Sequence, residues 1–196
     1  MTRHWMLNLT SMTEKTDDVV VFIDNGYLKK VSNRFKSQNV FNCDIKKFAI
    51  TLAKEQKLFC KKIYFYDAPP FEDNKIKSKK YVEFTHNLKT RGIIVREGRC
   101  QKILIDKARQ TYTYRQKGVD THITMDLLTC AFEKKANNFI LITADTDFVP
   151  VIEKVKEFKI KVILYCLKNK NRNFFLSNHL LDACDFVGLI KKEHYE

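Results

Sequence analysis

The sequence predicts an α/β fold, a three-layer α/β/α sandwich with a mainly parallel central sheet and an inserted β-hairpin. Three observations predict it. Five short apolar runs are continuous rather than alternating, as in strands covered on both faces. Segments with helical spacing lie between them, the rhythm of βαβ units. One stretch, residues 99–117, breaks that rhythm with a period of two.

In chain order, residues 1–18 form an arm, flexible or peripheral. Trp5, Met6, Leu7 and Leu9 soon give way to polar residues, too weakly apolar for a signal peptide. Residues 19–190 form the domain. Val19-Val20-Val21-Phe22-Ile23 is the first strand. Ile45, Phe48, Ala49 and Leu52 make the stripe of a helix, and Ile63-Tyr64-Phe65-Tyr66 the second strand. A helix with Tyr81, Phe84 and Leu88 leads to the strand Gly92-Ile93-Ile94-Val95. The hairpin folds around Asp106-Lys107-Ala108-Arg109, with Tyr112 and Tyr114 alternating with Thr111, Thr113 and Arg115. A helix with Ile123, Leu127 and Ala131 precedes the fourth strand, Phe139-Ile140-Leu141-Ile142. Val151, Val155 and Phe158 mark the next helix, before Val162-Ile163-Leu164-Tyr165. Right-handed crossovers place the helices on both faces. Residues 191–196 are a frayed tail.

At 196 residues the chain is the size of one domain, and 44% hydrophobic content excludes whole-chain disorder. Five Gly and three Pro exclude collagen-like classes. The net charge of +13 calls for an anionic partner, nucleic acid or an acidic membrane face. Residues 61–118 carry 15 basic and 6 acidic groups, whereas residues 119–196 carry 11 of each. The positive field therefore belongs to the middle of the chain. No apolar run reaches the ~18–20 residues of a transmembrane helix. None of the six cysteines lies within four residues of another, so no zinc ligand pair exists. Reduced, buried thiols in a cytoplasmic protein fit that usage.

The first strand runs into Asp24-Asn25-Gly26 and the fourth into Thr143-Ala144-Asp145-Thr146-Asp147. In open α/β sheets, ligands bind outside the carboxyl ends of the strands. Either acid could also serve as a helix cap or turn residue. A third acid, Asp120, follows Lys117-Gly118-Val119 at the start of a helix, where a carboxylate is stabilising on its own. Asp126 lies about 600° further round that helix. It reads as a packing or supporting acid, with a ligand role open. If Asp24, Asp120 and Asp145 converge, protons or a cation must compensate them. Hard oxygen ligands suit Mg²⁺ or Mn²⁺. A cation held by carboxylates within a basic surround suits a phosphodiester.

Phe22-Ile23-Asp24-Asn25-Gly26-Tyr27, Lys117-Gly118-Val119-Asp120 with Asp126, and Leu141 through Pro150 resemble the three signature segments of the NYN domain. That family belongs to the PIN-like nuclease superfamily, whose sheet is Rossmannoid. Ala183-Cys184-Asp185-Phe186-Val187 resembles its closing segment before a last short strand. The resemblance spans roughly residues 19–190 and implies a metal-dependent ribonuclease. Asp24, Asp120 and Asp145 would hold the metal, with Asp147 a more variable fourth acid. Asn25 would orient the ion or the substrate, and Thr143 would hold a carboxylate or water. Lys117 would contact a phosphate or pair with a neighbouring acid. The implied chemistry is in-line attack of a metal-activated water on RNA, leaving 5′-phosphate and 3′-hydroxyl ends. Since PIN-like domains often pair, a homodimer is one implied assembly.

RNA, single-stranded or structured, is the expected partner, and a membrane is not. Lys75, Lys77, Lys79 and Lys80 sit where they can grip a backbone, or simply form a solvated helix face. Lys102, Lys107, Arg109 and Arg115 decorate the hairpin. Tyr112 and Tyr114 either stack unpaired bases or pack the hairpin onto the body. Lys168, Lys170 and Arg172 form a third candidate contact, with Phe174 and Phe175 read as core. His122 is the one histidine near the expected site. The main alternative is a non-catalytic RNA-binding or scaffolding module on the same fold. A haloacid-dehalogenase phosphatase has its D-x-D after the first strand, not the fourth. A dinucleotide-binding domain needs a G-x-G-x-x-G that is missing here.

Overall fold

The computed structural model describes residues 17–35, 43–71, 75–107, 109–167 and 176–195. The expected contacts at Lys168, Lys170, Arg172, Phe174 and Phe175 lie outside the described residues, as do 1–16 of the arm.

Six strands form one parallel sheet: β1 (Asp18–Asp24), β2 (Phe59–Asp67), β3 (Ile94–Glu97), β6 (Asn138–Ile142), β7 (Lys161–Cys166) and β8 (Phe186–Leu189). Their order is β3-β2-β1-β6-β7-β8, and every neighbouring pair is parallel. β1 lies inside the sheet, and Val19 through Ile23 are fully buried on both faces. That explains their unbroken apolar run.

Helices α1 (Asn25–Arg34), α2 (Ile45–Glu55), α3 (Lys75–Thr90), α4 (Val119–Phe132), α5 (Val149–Glu157) and α6 (Asn178–Ala183) flank the sheet. The stripes read from the sequence are the buried faces: Ile45, Phe48, Ala49 and Leu52 on α2, and Ile123, Leu127 and Ala131 on α4. Helix α1 was not anticipated. It buries Tyr27, Leu28 and Val31 against the sheet, and its first residue follows Asp24 directly.

The inserted hairpin is present as β4 (Arg99–Asp106) and β5 (Thr111–Lys117), a separate antiparallel sheet. Every residue of β5 is exposed. The hairpin is tied to the body at its base. The Gly98 N–H donates to the Asp67 carbonyl at 2.8 Å, and Gln116 Nε2 donates to Asp67 Oδ1 at 3.3 Å.

The C-terminal segment corrects the expected fraying. Lys192–Tyr195 form a 3₁₀ turn. His194 is buried, with Nε2 2.9 Å from Glu55 Oε1. The Tyr195 ring packs on Phe48 at 5.3 Å and Phe35 at 5.9 Å. The charged residues of that segment suggested solvent, but one aromatic and one histidine are enough to anchor it. All six cysteines are free thiols, with Cys43, Cys130 and Cys166 buried.

Candidate active site

The chain leaves β1 toward β2 and β3 on one side, and β6 toward β7 and β8 on the other. The boundary between β1 and β6 is therefore the point where strand order reverses, and open α/β sheets have their ligand crevice at such a point, beyond the carboxyl ends. Ile23 pairs with Ile142, so Asp24 and Thr143 leave the sheet side by side.

A run of hydrogen bonds links the two strand ends. Thr143, fully buried, donates from Oγ1 to Asp24 Oδ2 at 3.3 Å. The same oxygen accepts from the Asp145 N–H at 3.2 Å. Asp145 Oδ1 accepts from the Asp147 N–H at 2.9 Å, capping a 3₁₀ turn (Thr146–Phe148). Asp24 also caps α1, accepting from the Tyr27 N–H at 3.3 Å. Both strand-end acids thus have the capping role, at the carboxyl ends of β1 and β6. Gly26 keeps the turn close: a β-carbon there would lie 3.0 Å from Asp24 Oδ1.

Asp120 is not a cap. The N-cap of α4 is Gly118, in the left-handed region at φ 83°, and Asp120 is the second helical residue. Its carboxyl is raised by burial and then by the charges of Asp145 and Asp147. Asp24 is pushed up to about 6, mainly by burial, with the charge of Asp120 adding to it. Four acids from three segments therefore share one field. None of them is ion-paired to a described Lys or Arg. Gly118 sets the angle at which Asp120 is presented. Nothing lies within 4 Å of a β-carbon built there, so Gly118→Ala meets only backbone strain. The expected cost is about 1–2 kcal/mol, read as a lower urea midpoint. An unchanged midpoint would show that the left-handed turn is not required.

Among the described residues, no group of three or more His, Cys, Asp or Glu is close enough to hold a metal ion. The donor chemistry nonetheless fits a hard divalent cation. All four groups are carboxylates, and two are raised in part by their neighbours' charge.

Asn25 turns away from the crevice. It is fully buried, and Nδ2 donates to Asp67 Oδ2 at 2.6 Å. Lys29 Nζ reaches both Asp67 oxygens, at 3.0 and 2.9 Å. Asp67 is thus a buried hub at the end of β2 that ties α1 to the hairpin through Gln116. Sequence reasoning passed over it as the start of the Asp67-Ala68-Pro69-Pro70 loop. The strand-end rule that singled out Asp24 applied equally to Asp67. Asp126 is engaged on the β2/β3 side of the sheet. Arg96 binds it at 2.9 and 3.0 Å, and the Tyr66 hydroxyl donates to it at 3.0 Å. Of the two readings left open, it is the packing acid.

The basic residues divide into groups. Lys117 and His122 line a groove of about 430 Å³ with Arg99 and Thr121. Lys75, Lys77, Lys79 and Lys80 are exposed at the start of α3. Lys77 and Lys80 also line a cavity of about 560 Å³ between α3 and the hairpin. Arg109, at the hairpin turn, and Arg115, on β5, are exposed. Both hairpin tyrosines are exposed. Tyr114 also packs on Phe71 at 5.3 Å, and Tyr112 carries Lys102 Nζ 4.3 Å above its ring. No helix among the described residues is long and apolar enough to cross a membrane.

The family model described as the NYN domain matches residues 18–189. No curated protein matches the chain. One similar solved structure is a Vibrio parahaemolyticus protein described as being of unknown function. It is 17% identical, with a TM-score of 0.61, over 92% of this chain and 97% of its own. At that identity the likeness carries the fold alone.

Proposed function

The chain belongs to the NYN-domain family, a nuclease family of the PIN-like superfamily that usually uses divalent metals, and from that premise we propose that it is a metal-dependent ribonuclease. The supporting observation is that Asp24 feels the charge of Asp120, and Asp120 the charges of Asp145 and Asp147, with none of the four ion-paired to a described Lys or Arg. Asp24, Asp120 and Asp145 would hold Mg²⁺ or Mn²⁺, with Asp147 beside them. Once bound, the cation would lower the pKa of a water and stabilise the leaving oxygen of the phosphodiester. The chain's own part is positional. Thr143 orients Asp24 and, through the Asp145 N–H, the loop after β6. Lys117, Arg99 and Arg115 supply positive charge for the RNA backbone on the hairpin. The free thiols suit work in the reducing cytoplasm.

The test is cleavage of labelled RNA with Mg²⁺ or Mn²⁺. Wild type is expected to cut, leaving 5′-phosphate ends. Asp145→Asn should lose about 100-fold or more, since even the partners of metal ligands are worth 10–100-fold. Failure of clean wild-type protein on every RNA tried would end the proposal. The separation of the acids favours one second reading, a non-catalytic RNA-binding module. It predicts RNA affinity that survives Asp145→Asn, with no cleavage by either protein.

A further inference from the structure

We propose that the cavity between the hairpin and the start of α3 holds one unpaired nucleotide of the RNA, base inward and phosphate toward the lysines. The inference rests on the ribonuclease reading and names the part of the substrate that this site selects. The cavity is about 560 Å³. That is within the range of small-molecule sites. Pro69, Pro70 and Tyr114 give it flat apolar walls, and Lys29, Lys77 and Lys80 give it charge. Among the described residues, no acidic side chain lines it. The charge of Lys29 is compensated by Asp67, and Lys80 at the rim supplies attraction for a phosphate.

Gln116 connects this cavity to the acids. It lines the wall, and its Oε1 lies 3.7 Å from where a β-carbon on Gly26 would stand. Asp24 Oδ1 is 3.0 Å from the same point. A nucleotide seated here therefore neighbours the phosphate to be cut. Its base meets an aromatic ring and two prolines. A base within a duplex cannot enter without leaving its stack and its partner. Cleavage should therefore fall in loops and single strands.

Cys100 reports occupancy. It lines the cavity opposite Gln116 and is partly exposed. Cys60 and Cys184 are also partly exposed, away from the cavity, and serve as references. The full chain in EDTA is treated with N-ethylmaleimide, and each cysteine is followed by peptide mass spectrometry. A ten-nucleotide single-stranded RNA at ten times its Kd should slow labelling of Cys100 about tenfold, by mass action. Cys60 and Cys184 should be unchanged, and the same RNA in a duplex should protect weakly. Lys77→Glu with Lys80→Glu, on an exposed helix face, should abolish the protection. Unchanged Cys100 labelling under single-stranded RNA, or equal protection by the duplex, overturns the proposal. Cleavage by wild type without protection sinks the pocket and leaves the nuclease. Protection without cleavage supports the pocket and sinks the nuclease.

Discussion

Asp24→Asn should abolish metal-dependent RNA cleavage and, in the same protein, raise the melting temperature of the metal-free form above about pH 6. Burial pushes the Asp24 carboxyl from its ordinary 3.8 up to about 6. The folded state therefore binds this proton more tightly than the unfolded chain does. Wild-type stability must fall as pH rises from about 4 to about 6, and the deficit persists above that range. Asparagine removes the charge and keeps one oxygen to cap α1, while giving up the bond that Asp24 Oδ2 accepts from Thr143. A shift of about two units has a ceiling near 3 kcal/mol, and solvent at the crevice mouth reduces it to about 1–2 kcal/mol. Melts in EDTA from pH 4 to 8 should show the two proteins alike at the acid end and diverging through pH 4–6. A variant no more stable than wild type at pH 8 would refute this account of Asp24. Wild-type cleavage should itself weaken below about pH 6, because protons compete with the cation for this carboxylate.

Asp67→Ala should cost about 3 kcal/mol of folding free energy, the low end for a broken buried ion pair. Asp67 is fully buried and takes three partners: Asn25, Lys29 and Gln116. Its loss strands the Asn25 amide inside the protein and leaves the Lys29 ammonium without a counterion. Lys29 keeps some contact with water, which limits the damage. Urea unfolding measures the effect, and a variant within 1 kcal/mol of wild type would show that Asp67 is not the hub described. Lys29→Met in the Asp67→Asn background should recover part of the loss, since no unpaired charge then remains. The same variants should loosen the base of the hairpin, because Gln116 loses its acceptor.

The central sheet was legible because its strands are buried on both faces. Val19 through Ile23 and Phe139 through Ile142 carry no polar residue to blur the pattern. The hairpin was legible for the opposite reason, since an exposed ribbon alternates freely. Helix α1 was not. Its buried Tyr27, Leu28 and Val31 are interleaved with Lys29, Lys30 and Asn33, and its start coincides with the Asp24 turn. Asp24 and Asp145 drew attention by their place after strands, and they do lie at the carboxyl ends of β1 and β6. The hub at Asp67 was missed because a single Asp before two prolines looks like any loop. What distinguishes Asp67 is its set of partners 38 to 49 residues away, which no local pattern reports. The two hairpin tyrosines could not be separated from sequence, because their difference depends on Phe71.

The bond from Thr143 to Asp24 spans 119 residues of chain. Contacts of such separation form late, after most of the entropy of the intervening loop has been lost. The bond therefore needs β6 docked beside β1, which closes a loop that holds β2, β3, the hairpin and α4. A ribosome-bound chain that has not yet released the residues after β6 has Asp24 but neither Asp145 nor Asp147 beside it.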